Sequence, residues 1–232
     1  LKFANGIFSK SYGLLNRKDE QMQKNKVQLF VRKQNPVMQL FKRYNGHFKI
    51  ADSSENKEAK KSFTLIGFKA DIGSEIESIL FPEWDRSAKR SYSIQKNIIY
   101  QRLKWFVLFP ILVASLFLAI EDSLWFYSFL PVSVLIVLKA IISYKSWRIV
   151  CNDELIRLEH GRIMKSDTIA TFYKFQWVSL QQSVYQRRKQ LASLKIGHAS
   201  GSLIIPYLKL SDAEELMNWI IYKIESSQLE WI

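Results

Sequence analysis

Cysteine is nearly absent. Cys151 stands alone, so no disulfide forms within the chain, and a small, disulfide-stapled extracellular fold is excluded. Histidine is scarce as well. His47, His160 and His198 have no pairwise spacing that suits a metal, and no metal site is expected. The phosphate-cradling Gly-x-x-x-x-Gly-Lys loop, the Gly-x-Gly-x-x-Gly fingerprint and the Gly-x-Ser-x-Gly turn are all missing from a chain with only eight glycines. Glu154 and Glu159 flank a strand, but two carboxylates without a cleft make no acid–base pair. The chain therefore reads as a non-enzyme with no catalytic residue and no cofactor. The opening "LKFANGIFSK" lacks an initiator Met and the charged, apolar and small-residue order of a signal peptide. It reads as a strand and turn entered midway, as in a fragment of a longer protein.

Acids are the other shortage. There are 21 Asp and Glu against 34 Lys and Arg, a formal net charge of +13. With 48% hydrophobic and 14% aromatic residues, the chain is too apolar for disorder, and 232 residues have room for two small domains. The most apolar region holds two uncharged runs, "WFVLFPILVASLFLAI" (105–120) and "LWFYSFLPVSVLIVL" (124–138), separated only by Glu121, Asp122 and Ser123. Each falls slightly short of the roughly 20 residues that span a bilayer, a gap closed by snorkelling of Arg102 and Lys104 at one end and Lys139 and Lys145 at the other. Trp105, Trp125, Tyr127, Tyr144 and Trp147 stand near the ends, where amphipathic aromatics prefer an interface. A transmembrane helical hairpin over 100–145 is the expectation. Lys and Arg crowd both flanks and are absent from the turn, so both flanks belong in the cytoplasm and Glu121–Asp122 on the outer side of the cell membrane.

The segment after the hairpin predicts short strands and one helix. Turn signals at Asn152-Asp153, His160-Gly161 and Ser200-Gly201 separate β-branched and apolar runs. In "SDAEELMNWIIYKI", Ser211 and Glu214 have the spacing of a capping box, and Ala213, Leu216, Met217, Ile220 and Ile224 form one apolar stripe. The segment before the hairpin repeats this plan. "KVQLFVRKQNPVMQL" (from Lys26) aligns without gaps on "KFQWVSLQQSVYQRR" (from Lys174), setting Gln28 on Gln176 and Gln34 on Gln182. "KIADSS" (from Lys49) aligns on "KIGHAS" (from Lys195), "GFKA" (from Gly67) on "YLKL" (from Tyr207), and Gly6 takes the part of Gly161. A helix follows in both copies, the first with Ile72, Ile76, Ile79 and Leu80 on one face. The strand found at 147–151 has no counterpart after Leu1 in this alignment. This order of short strands closed by one amphipathic helix predicts a small antiparallel barrel or sandwich in each copy, and Gln28 and Gln176 are expected to bond backbone inside it.

Six motifs in the second copy carry a family likeness: Gly161, Lys174-Phe175-Gln176-Trp177-Val178, Gln182-Ser183 with Arg187-Arg188, Leu194-Lys195-Ile196, Ile205-Pro206 and Asp212-Ala213. The chain resembles the bacterial pleckstrin-homology (PH) domain, once a domain of unknown function, of YdbT-like membrane proteins. The likeness is close over 147–226 and loose over 1–82, where Asn35-Pro36 and Ile66-Gly67 depart from the pattern. It implies a mixed membrane protein: two PH-like antiparallel β-barrel or sandwich domains, each closed by a C-terminal α-helix, separated by the transmembrane hairpin, with further helices before Leu1. The divisions are 1–82 for the first domain, 83–99 for a linker, 100–145 for the hairpin and 146–228 for the second domain.

Clustered cations are the candidate contact residues: Arg187, Arg188 and Lys189 in one copy, and Arg32, Lys33, Lys42 and Arg43 in the other. Near an anionic lipid surface each cation contributes on the order of 1 kcal/mol. The bland reading of the same residues is a solvated, orienting surface. Nucleic acid is not expected as a partner, because no recognition pattern accompanies the charge. The expected partners are the membrane with its anionic lipid and another membrane protein or a second copy. The function expected is non-catalytic: the domains serve as interaction modules for proteins or for the anionic lipid surface. The alternative is a component of a transport, export or resistance system, or an enzyme whose site lies in sequence beyond this chain.

Overall fold

The computed structural model describes residues 2–13, 16–51, 63–82, 84, 90–100, 138, 141–142 and 144–228. The first half contains β1 (Lys2–Ala4), β2 (Ile7–Tyr12), β3 (Lys18–Gln23), β4 (Val27–Gln34), the one-turn helix α1 (Pro36–Leu40), β5 (Arg43–Ile50), β6 (Phe63–Lys69) and helix α2 (Ala70–Leu80). After β7 (Arg90–Tyr92), the second half contains β8 (Arg148–Cys151), β9 (Leu155–His160), β10 (Lys165–Thr171), β11 (Phe175–Gln181), α3 (Val184–Arg188), β12 (Leu191–His198), β13 (Gly201–Lys209) and α4 (Leu210–Ser226).

These strands make three antiparallel sheets, β1-β2-β3, β6-β5-β4-β10-β9-β8-β7 and β11-β12-β13, and none closes into a barrel. The seven-stranded sheet belongs to both halves. Its seam is the β4–β10 ladder, running from Gln34 opposite Lys165 to Leu29 opposite Ala170. The reason lies in β4, where residues 27–31 are all buried. Phe30 and Val27 enter a first core with Phe8, Phe48, Phe63 and Ile76, while Leu29 and Val31 point the other way into a second core with Ile156, Leu158 and Ile196. A strand apolar on both faces needs cover on both. One half supplies one face and its neighbour the other.

This corrects the expected fold class. The halves are not two barrels held apart by a hairpin; they share a sheet. Among the described residues no helix is long and apolar enough to cross a membrane. That finding counts against the expected transmembrane character and the multi-pass cell-membrane location. The longest described helix, α4, buries only Ala213, Leu216 and Ile220 and keeps charged side chains on its other faces, as a helix half-covered by a sheet does. The hairpin over 100–145 falls mostly on 101–137, and Glu121–Asp122 with it, outside the described residues.

The repeat has a structural form. Gln34 Nε2 donates to the Arg43 carbonyl at 3.1 Å, and Gln182 Nε2, 148 positions on, donates to the Leu191 carbonyl at 2.7 Å. Asn35 and Ser183 then cap α1 and α3, accepting from the Met38 and Gln186 amides at 2.7 and 3.2 Å. Pro36 opens α1 with φ already set for a helix. Lys42 and Gln190 both take a left-handed backbone, φ 51° and 53°, to turn into β5 and β12. The same spacing pairs Gly13 with Gly161, both at positive φ and both so close to a carbonyl three residues on (Asn16 and Met164) that a Cβ would collide with it. Gly13, not Gly6, is therefore the counterpart of Gly161. It also sets Lys49 beside Gly197 rather than Lys195, and β1 where β8 stands. The capping box at Ser211 is not formed, because α4 begins at Leu210 and Ser211 Oγ donates to Asp212 instead, at 3.1 Å.

Candidate interaction surface

The seam carries a polar cluster. Asp167 on β10 accepts from Arg32 Nη2 of β4 at 2.7 Å and from Arg157 Nε of β9 at 2.9 Å. Glu77 on α2 lies 2.9 Å from Arg32 Nη1, off the hydrogen-bond direction, and 3.5 Å from Arg157. Gly73, one turn earlier on α2, lets the helix come this close. A Cβ there would sit 3.0 Å from the Phe68 ring and 3.4 Å from Arg32 Nη1. Burial pushes the Glu77 carboxyl up from its ordinary value, and the two guanidinium charges only partly counter it. For Arg157 burial is the largest single influence and acts downward, but the hydrogen bond and charge of Asp167 together with the charges of Glu77 and Glu159 outweigh it, and the guanidinium is held above its ordinary value. Tyr44 faces Arg32 at 5.3 Å and Trp84 faces Arg157 at 5.8 Å. The cluster joins β4, α2, β9 and β10, so it fixes one half on the other.

Beside it opens a cleft of about 460 Å³, with Arg32, Tyr44 and Asp167 among the residues that line it and Lys145, Arg162 and Lys165 exposed at its margin. Next to the cleft two turns meet. Gln39 Nε2 of α1 donates to the Ile163 carbonyl of the β9–β10 turn at 2.6 Å. Around this bond stand Val37, Leu40, Phe41, Ile163 and Met164, all exposed, Leu40 at 78% and Met164 at 70%. Lys33, Lys42, Arg43, Arg162 and Lys165, all exposed, flank them. Apolar side chains ringed by cations on one tip are not what a solvated surface needs.

The candidate cations thus fall into three settings. Lys33, Lys42 and Arg43 belong to this tip, with Arg43 Nη1 also donating to the Gly67 carbonyl at 3.3 Å. Arg32 is largely covered and committed to Asp167 and Glu77. Arg187, Arg188 and Lys189 are exposed at the end of α3, at the positions that Gln39, Leu40 and Phe41 hold beside α1. The corresponding turn is apolar in one half and cationic in the other.

The model of the family described as "Bacterial PH domain" matches residues 93–224, more than half of the chain. The chain belongs to the bacterial PH domain family. No curated protein and no solved structure matches it. Within this bacterial PH domain protein, Cys151 is buried and its thiol is pushed up to about 12 by burial. Glu154 pairs with Lys223 at 3.5 Å and Glu159 with Arg157 at 3.2 Å. His160 stacks on Trp147 at 4.6 Å, and burial, then Lys49, holds His198 down at about 4.

Two features escaped the sequence reading. One is Lys174, buried at the seam, whose ammonium donates to the Asn25 carbonyl at 2.8 Å and also to that of Val27. The other is the apolar tip, signalled only by Ile163-Met164 lying between Arg162 and Lys165 in a turn. Gln28 is buried, whereas Gln176 at the matching position is exposed, so the shared buried role expected of them fails. Among the described residues β11 pairs on one side only, with β12, and Trp177 lies 44% exposed across Gly197.

Proposed function

We propose that the protein is a non-catalytic interaction module that touches an anionic lipid surface with its tip. The observation that carries this is the set of five exposed apolar side chains beside Gln39–Ile163, flanked by Lys33, Lys42, Arg43, Arg162 and Lys165. Such a tip lays apolar groups among headgroups while cations meet lipid charge, each cation near the surface contributing on the order of 1 kcal/mol. This is contact from one side, not insertion of a span. Arg187, Arg188 and Lys189 add to the field, and salt weakens their share over a Debye length of about 10 Å at 0.1 M.

The test is co-sedimentation of the full chain with phosphatidylcholine vesicles, with and without phosphatidylglycerol. Binding that requires the anionic lipid, falls with salt and drops in a Leu40→Ser/Phe41→Ser variant supports the reading. Equal sedimentation of parent and variant removes it. A protein partner is the second reading, carried by Trp177 and by the side of β11 that pairs with no strand among the described residues. Captured partners lost on Trp177→Lys, with vesicle binding unchanged, would support that reading.

A further inference from the structure

We infer that the cleft behind the tip is a subsite for a phosphomonoester. The cleft spans the seam: Arg32 and Tyr44 come from the first half, Lys145, Arg162, Lys165 and Asp167 from the second. Its volume of about 460 Å³ lies within the roughly 300–1,000 Å³ of small-molecule sites, larger than a bare phosphate needs. There is room for a glycerol or sugar attached to it.

Charge names the ligand class. Arg32, Lys145, Arg162 and Lys165 line the cleft with two carboxylates, Glu159 and Asp167, so four cations against two acids leave a charge of +2. Both acids are turned to guanidinium groups, Asp167 to Arg32 and Arg157, and Glu159 to Arg157 at 3.2 Å. Among the described residues Lys145, Arg162 and Lys165 have no ion pair. The cations at the margin are therefore available to a ligand, while the carboxylates are not. Arg32 cannot swing away, since Glu77, Asp167 and the Tyr44 ring hold its guanidinium from three directions. The held guanidinium of Arg32, the exposed ammonium and guanidinium groups of Lys145, Lys165 and Arg162, and Ser166 and Tyr44 among the lining suit the three oxygens and double charge of a phosphomonoester better than a carboxylate or a singly charged diester.

Such a group comes from a lipid headgroup at the tip or from a free phosphate ester. The headgroup source rests on the lipid-surface reading; the subsite does not. Calorimetric titration of the full chain with glycerol 3-phosphate, with glycerol as the neutral control, probes the subsite alone. Vesicles of phosphatidylcholine with phosphatidic acid, against vesicles charge-matched with phosphatidylglycerol, probe the source. The expected result is glycerol 3-phosphate binding without glycerol binding, and tighter binding to phosphatidic acid. An Arg162→Gln/Lys165→Gln variant, changed only at exposed positions, should lose about tenfold in glycerol 3-phosphate affinity, near 1.4 kcal/mol. It should also lose the phosphatidic acid preference. Leu40→Ser/Phe41→Ser should lose both vesicles and keep glycerol 3-phosphate. Glycerol 3-phosphate binding with no vesicle binding supports the subsite with a free ester as its ligand and overturns the lipid-surface reading alone. No binding of glycerol 3-phosphate, or binding unchanged in Arg162→Gln/Lys165→Gln, overturns the subsite.

Discussion

Replacing Lys174 by Met tests whether the seam holds a buried positive charge. Lys174 is 6% exposed, and burial, helped by Lys24, pushes its ammonium down from 10.5 to about 8. The folded state releases this proton near pH 8, whereas the unfolded chain keeps it up to pH 10.5. Between those values the unfolded state binds more protons, so stability rises with pH across that window and is flat below it. The full rise is about 3 kcal/mol, with roughly half reached by pH 9. A neutral amine still donates to the Asn25 and Val27 carbonyls, so the bridge survives the proton's departure. Lys174→Met removes the titration. At neutral pH its net effect combines relief of a buried charge with two carbonyls losing a donor, about 1–3 kcal/mol for each group left unsatisfied. The slope is cleaner than the intercept. Urea unfolding of both proteins at pH 7 and pH 9 should show the parent gaining about 1.5 kcal/mol on the variant. Tyr92 and Cys151, both held at about 12, titrate above this range and are common to the two proteins. A difference that stays constant or shrinks as pH rises would refute the buried ammonium.

Three more outcomes follow from burial. His198, held at about 4 by burial and Lys49, stays neutral in the fold while the unfolded chain protonates from pH 6.5 downward, so stability falls by up to about 3 kcal/mol between pH 6.5 and 4; His198→Asn should flatten that limb in acid unfolding, and an unchanged limb counts against it. Leu29 and Trp177 hold matching strand positions at 3% and 44% exposure; Leu29→Ala should cost about 2–5 kcal/mol in urea unfolding and Trp177→Ala well under that, and equal costs would contradict a seam on β4 alone. The Cys151 thiol should resist iodoacetamide in the native protein and react once urea unfolds it, as read by mass spectrometry.

Much of each half was legible because local chemistry decides it. Gln34 with Asn35-Pro36, and Gln182 with Ser183, set a turn through their own side chains, so the alignment over 26–40 fell in register. The α4 stripe was readable since a 3.6-residue period reports which side is covered. The seam was not readable. "VQLFV" has the same apolar content whether its outer face meets its own half or the next, and nothing in it names Ile169 or Ala170 as neighbours. Lys174 looked like any other lysine of a basic chain, because its burial is made by carbonyls of the other half. Leu40 and Phe41 would pass for core residues by type; only the geometry of α1 turns them outward. Gly13 was missed because "GLLNR" and "GRIMK" share little beyond a glycine and a terminal cation.

The β4–β10 ladder also sets the order in which this chain becomes safe from itself. Arg32 and Asp167, neighbours across it, are 135 positions apart. During synthesis β4 emerges with its apolar edge long before β10 exists to cover it. Closing so long a loop is entropically costly and slow relative to hairpins such as β12–β13. In that interval residues 27–31 present an open strand edge that another nascent chain can join. A fragment ending before β10 would keep that edge permanently, so the first half produced alone should aggregate where the whole chain does not.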